Sequence, residues 1–305
     1  MYAGDLTGEA NFVSDEVTTP SGIVAAFEWL ADLTIGKTPP IVMQRPQAGV
    51  VDEQGRIFVT DSSRKAIFVF DKTGERLHAW DRAGEKTFFS DPVGIALGSN
   101  GEIFVSDAEL GIVVRLAHDG TPLGTLGKGV LKRPTGLARD PKAGLLYVAD
   151  TRAHDIKVFD DQGRLVNAIG HPGDVAGELN APTFLSFADD ELYVTDSLNS
   201  RIQVYSGNGD LLRSFGSRGL YIGNLVRPKG VAVDNEGHIY VVESYYGYLL
   251  VYDKDGQLLM SIGGSGTQAG QFYLPAGVWV DRDNRVFVAD MFNGRVEVFQ
   301  FLGEF

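Results

Sequence analysis

Residues 147–165 read YVADTRAHDIKVFDDQGRL, and residues 193–211 read YVTDSLNSRIQVYSGNGDL. Each holds a short β-rich run ending in Asp150 or Asp196, a break, a second run of alternating apolar side chains, and a turn carrying Gly163 or Gly209. Alternation with period two marks strands, and Asp–Gly clusters mark tight turns. The same order extends outward in both directions. Pro46, Pro92, Pro134, Pro182, Pro228 and Pro275 recur at spacings of 46, 42, 48, 46 and 47 residues. An apolar residue stands three positions before each: Met43, Phe89, Leu131, Leu179, Leu225 and Phe272. Glycine stands two positions after in four units (Gly94, Gly136, Gly230, Gly277), with Ala48 and Phe184 as the departures. An acid closes each following β-rich stretch: Asp61, Asp107, Asp150, Asp196, Glu243 and Asp290.

Each unit reads as four strands. In the fifth, residues 230–234, 238–242, 249–252 and 257–262 predict strands, with turns at 234–237 and 253–256. Six units of about 45 residues, each a four-stranded antiparallel meander, predict an all-β, six-bladed β-propeller. The sixth unit supplies only three strands, the last near residues 296–301. Tyr2–Leu6 is short and β-compatible, and is expected to close the sixth blade and remove its open edge. A short helix is expected between that strand and the first blade. Thr19 would cap it, Pro20 suits its first position, Ile23, Phe27 and Leu30 share one face, and Gly36 ends it. Residues 1–44 thus read as closing strand, helix and linker, and residues 45–305 as the propeller, one domain overall.

Composition narrows the function. The chain has 305 residues, 44% hydrophobic and 22% charged, which fits a globular core rather than disorder. It has no cysteine, which excludes disulfides, cysteine-based zinc sites and thiol catalysis. The net charge is −13, so nucleic acid is an unlikely bulk ligand. Many of these acids fall in the predicted turns, which weakens any direct reading of the charge. No apolar run approaches the roughly 18 residues of a membrane span. No signal peptide is visible at the start of the chain. An extracytoplasmic location, periplasmic or cell-surface, is expected if an export signal has been trimmed, and a cytoplasmic one otherwise.

The two opening stretches, with the inter-blade loop GGSGTQAGQFYLP from Gly263, resemble the NHL-repeat family of propellers. The resemblance covers about residues 43–301. It is specific for the fold and weak for function. The similarity extends to bacterial, often exported, members. It implies a non-catalytic interaction or scaffold module with a protein partner and no cofactor, and suggests extracytoplasmic assembly beside multihaem cytochromes. It also keeps an alternative open, a metal-dependent hydrolase or lyase working in the central channel with calcium or zinc. Six-bladed lactonases hold calcium with Glu, Asn and Asp, and Glu109, Asn199, Glu243 and Asn293 could mimic that set. Peptide-amidating lyases use channel histidines, but the five histidines here are not aligned in the repeat, and only His154 falls on the favoured face. RNA binding, known for some animal members, is opposed by the acidic balance.

Strand order places the inter-blade loops and the second-to-third loops on one face, where the candidates gather. The six repeated acids read first as braces for backbone amides, since a residue needed in every blade is needed by the blade. Glu243 is the exception in length. Arg45, Arg133 and Arg227 precede the prolines of units one, three and five, about 120° apart on a six-fold ring. With Lys229 they could bind an acidic ligand at the channel mouth. Tyr245, Tyr246 and Tyr248 form an aromatic loop suited to recognition, and Phe184 is expected to narrow the entrance.

Overall fold

A computed structural model describes residues 1–8, 11, 42–71, 73–74 and 76–300. The period-two runs form strands, and the strands form six four-stranded antiparallel sheets, each a simple meander. The third blade is typical: Pro134–Asp140, Leu145–Asp150, Asp155–Phe159 and Leu165–Ile169. Its second strand, LLYVAD, is buried almost throughout because blades pack against it on both sides, whereas its fourth, LVNAI, is mostly exposed. The innermost strands are Pro46–Val51, Pro92–Leu97, Pro134–Asp140, Pro182–Ala188, Pro228–Val233 and Val278–Val280. Consecutive members touch around a central channel, and the first touches the last.

The ring closes as the sequence predicts. Tyr2–Leu6 pairs antiparallel with Arg295–Gln300, placing Asp5 opposite Glu297 and Leu6 opposite Val296. The Gln300 amide donates to the Met1 carbonyl at 2.9 Å. The sheet order then runs Tyr2–Leu6, Arg295–Gln300, Arg285–Asp290, Val278–Val280 from rim to channel. The first strand of this blade is the shortest of the six inner strands. The only described helices are single 3-10 turns. The helix expected over residues 19–36 lies outside the described residues. A small hairpin, Arg82–Gly84 with Thr87–Phe88, stands in the connection between the first two blades and was not expected.

The glycine two positions after each proline has a steric cause. A Cβ on Gly94 would lie 2.1 Å from the Thr135 carbonyl oxygen of the next blade, and one on Gly136 would lie 2.5 Å from the Phe184 Cα. Gly230 and Gly277 meet the following blade in the same way. Hydroxyls tie the same seam: Thr60 donates to the Val93 carbonyl at 2.6 Å, Thr135 to Thr183 at 2.8 Å and Ser197 to Pro228 at 2.8 Å. The apolar residue three before each proline is buried in all six units.

Candidate binding face

A meander that starts at the proline returns to the same face between its second and third strands. The inter-blade loops share that face, and the remaining turns lie opposite. The two faces differ in chemistry. Turn acids such as Asp52, Asp140, Asp160, Asp234, Asp253 and Asp281 cap the opposite turns, accepting backbone N–H bonds there. Among the described residues, the exposed large apolar side chains fall on outer strands, on the small hairpin or on the loop face, and none on the opposite turns. The loop face carries Leu110, Val130, Val175, Leu198, Leu220, Tyr221, Ile222, Tyr245, Tyr273 and Phe292.

The six repeated acids are braces. Asp107 accepts the amides of Ser90, Asp91, Glu109 and Leu110, and Asp61 those of Gln44, Arg45, Ser63 and Arg64. All six are at most 1% exposed. The fourth residue after each acid (Lys65, Gly111, His154, Ser200, Gly247, Gly294) has positive φ, which turns the chain into the third strand. Glu243 does the same work despite its length, accepting the amides of Val226, Arg227 and Tyr245.

Two of the other metal candidates, Asn199 and Asn293, also have bracing contacts. Asn199 donates to the Gly173 carbonyl and to Asp196, and Asn293 to the Gly266 carbonyl and to Asp290, all within 2.9 Å. Glu109 is exposed on its loop. His154 accepts the Ala181 amide through Nδ1 at 3.1 Å. Among the described residues no three His, Asp or Glu side chains are grouped to hold a metal ion.

The cationic candidates divide. Arg133 reaches Asp91 of the preceding blade at 3.0 Å. Arg45 lies over the Phe292 ring, 5.1 Å from its centroid, and Phe292 in turn packs edge-on against Tyr273. Arg227 is exposed. Lys229, half-buried on the inner strand, makes no hydrogen bond or ion pair among the described residues. Burial holds its ammonium below the usual range, and Arg227 and Arg133 push it further down. Arg227 and Lys229 therefore share one patch of positive potential, Arg133 stands at its edge with its charge countered by Asp91, and Arg45 lies on the sixth-blade side of the mouth.

Phe184 is buried at the inner seam. It comes from the fourth blade but packs in the cluster holding Ala48, Val93, Ala276 and Trp279 of blades one, two and six. The ring thus crosses the axis. At its level and beyond lies a pocket of about 490 Å³, lined by Val50, Leu97, Arg139, Phe187, Val233 and Val280 among others. That pocket faces the opposite end of the channel.

Two of the candidate tyrosines pair. Tyr245 is exposed, and its ring stands edge-on to Tyr246 with centroids 4.9 Å apart. The tripeptide Leu220-Tyr221-Ile222 is more exposed still, at 84%, 84% and 59%. Leu220 and Ile222 were not among the candidates read from the sequence. Aligning the three long inter-blade loops would have shown them.

Residues 131–159 match the NHL repeat family model. The protein brain tumor of Drosophila melanogaster is 32% identical over 115 residues, 37% of this chain and 10% of that protein. The human E3 ubiquitin-protein ligase NHLRC1 is 33% identical over 86 residues, 28% of this chain and 22% of that protein. The match therefore spans between about a tenth and a fifth of these curated relatives' lengths. Among solved structures, virginiamycin B lyase from Staphylococcus aureus superposes with a TM-score of 0.62 at 15% identity, covering 85% of this chain and 96% of that one. Identity that low speaks for the fold alone. The repeat and the six closed blades make this chain a six-bladed β-propeller, and residues 131–159 within it match the NHL repeat.

Proposed function

We propose that the chain is a non-catalytic protein-interaction module that takes an acidic segment of a partner at its loop face. The observation that carries this reading is Lys229: a half-buried ammonium beside two guanidiniums, with no carboxylate paired to it among the described residues. Gathering like charges costs free energy in the free protein, and a partner carboxylate would recover it. Arg133, Arg227 and Lys229 would hold the carboxylates, and Arg45 would extend the field. Tyr245, Tyr246 and Tyr248 would supply rigid contact area beside them. One relative is named as an E3 ubiquitin-protein ligase, a protein that by its name acts on proteins. Extracytoplasmic assembly beside multihaem cytochromes, suggested by the resemblance, is the first partner class to try. The alternative of channel metal chemistry has less support, because Asn199, Glu243 and Asn293 already brace loops.

The test is a crosslinked pull-down from native extract, comparing wild type with R133A/R227A/K229A. The expected result is a partner captured by wild type and lost by a variant of unchanged melting temperature. A partner indifferent to the three substitutions contradicts the reading, and so does stoichiometric channel-bound calcium or zinc in the purified protein.

A further inference from the structure

Three inter-blade loops align without a gap, residues 169–182, 215–228 and 262–275. They share one scaffold. In each, the residue ten after the first apolar position (Leu179, Leu225, Phe272) donates its amide back across the loop, to His171, Ser217 or Gly264. In each, the side chain before it (Glu178, Asn224, Gln271) accepts an apex amide. The apex itself is Asp174-Val175-Ala176 in the first loop and Thr267-Gln268-Ala269 in the third. In the middle loop it is Leu220-Tyr221-Ile222. Since the same scaffold forms over an apex with one large apolar side chain, Val175, and over one with none, the fold does not require three there.

The middle loop also lacks the staples that hold the other two. Asn199 bonds the Gly173 carbonyl, Arg201 bonds the Val175 and Glu178 carbonyls at 2.8 Å, and Gln203 takes the Gly177 amide and bonds the Glu178 carbonyl. The sixth blade repeats this with Asn293, Arg295 and Glu297. The equivalent positions of the fifth blade are Tyr246, Tyr248 and Leu250. From the third strand one tie remains, Tyr252 donating to the Gly223 carbonyl at 3.0 Å as Tyr205 does to Gly177 in the fourth blade, whereas the sixth blade has Phe299 at that position. So the loop with three large apolar side chains at its apex is also the one whose side-chain staples are replaced by aromatic and aliphatic groups.

We infer that Leu220-Tyr221-Ile222 is a docking knob that inserts into an apolar groove on a protein partner, a groove edged by carboxylates. The apolar apex fixes the groove, because large side chains at this exposure gain by being covered. The carboxylate edge follows from charge complementarity, since Arg218 stands in the same loop and Arg227 and Lys229 follow it into the fifth blade. The missing staples let the loop adjust to its groove. This rests on the interaction reading above and adds to it the element that confers partner choice.

The experiment has two arms. In the first, amide exchange is followed in the purified chain without partner. Residues 219–223 are expected to exchange at least about 10-fold faster than residues 173–177 and 266–270. Equal protection of the three loops overturns the unstapled loop and with it the inference. In the second, a photoreactive phenylalanine replaces Tyr221, with Gln268 as the control site, and the partner crosslinked at 221 is identified, purified and titrated. The grafted apex L220T/Y221Q/I222A is expected to weaken its binding about 30-fold at unchanged melting temperature, with the crosslink falling in an apolar groove flanked by Asp or Glu. Unchanged affinity of the graft beside weakened binding of R133A/R227A/K229A overturns the knob and leaves the interaction reading standing. Unchanged affinity of both overturns both. Crosslinks only to a second copy of this chain, graft-sensitive binding to anionic phospholipid vesicles, or no crosslink at 221 each overturn the knob as well.

Discussion

Gly94 and Asp107 show how single residues hold the ring. Gly94 sits where the inner strands of two blades meet, and any Cβ would enter the Thr135 carbonyl. Gly94→Ala is expected to cost at least about 3 kcal/mol, the upper part of the range for overpacking, read as a lowered midpoint in urea. A change below about 1 kcal/mol would mean that the blades can part there without loss. Asp107→Ala leaves four amides without their acceptor and is expected to cost at least as much, at about 1–3 kcal/mol for each donor that stays dry. The sequence shows a carboxylate in every blade but not the amides around it. Repetition alone pointed to a brace, and the structure gives that role to Glu243 too. Phe184 was legible only as an intruder at a small position. That its ring crosses the axis depends on blades far away in sequence.

At the scale of the element, the closing strand is the part most open to test. Glu297 lies opposite Asp5 in that pairing, fully buried, with the Gly270 amide and Arg295 against it and Asp290 and Asp5 nearby. Burial pushes its carboxyl from the ordinary 4.5 up to about 7; Asp290 and Asp5 push the same way, and Arg295 and the Gly270 amide oppose. An acid raised in the folded state binds its proton more tightly there than in the unfolded chain. Its stabilising contribution is therefore full below about 4.5 and is lost as pH rises towards about 7, a swing of order 3 kcal/mol. Gln203 fills the same place in the fourth blade, donating to the Glu178 carbonyl at 2.7 Å and to Asp196 at 3.2 Å. Glu297→Gln should therefore fold at all pH values, flatten the loss of stability between pH 5 and 8, and raise the melting temperature at pH 8. A variant as pH-sensitive as wild type in thermal unfolding would remove Glu297 from the account. The strand itself was legible because the sixth unit is one strand short and Tyr2–Leu6 is the matching piece.

For the whole molecule, the net charge of −13 hides a division. The turns of one face hold much of the excess acid, and the other face gathers Arg45, Arg133, Arg227 and Lys229 beside its exposed aromatics. Sequence reading found the positions of these cations through the repeat. It could not see that Arg133 is tied to Asp91 while Lys229 has no such tie among the described residues, because side-chain pairing across blades is set by the closed ring. It also could not weigh the middle inter-blade loop against its two homologues without knowing which side chains staple them. The central claim is that partners meet the loop face. It is tested most directly by crosslinking mass spectrometry on the purified complex with lysine- and carboxylate-reactive reagents, read as a map over both faces. The account predicts crosslinks from Lys229, from Lys132, which is exposed beside Arg133 in the inter-blade loop, and from Glu109, with the turns around Asp140, Asp234 and Asp281 unmodified by partner. Crosslinks concentrated on those acidic turns, with the loop face untouched, would contradict it.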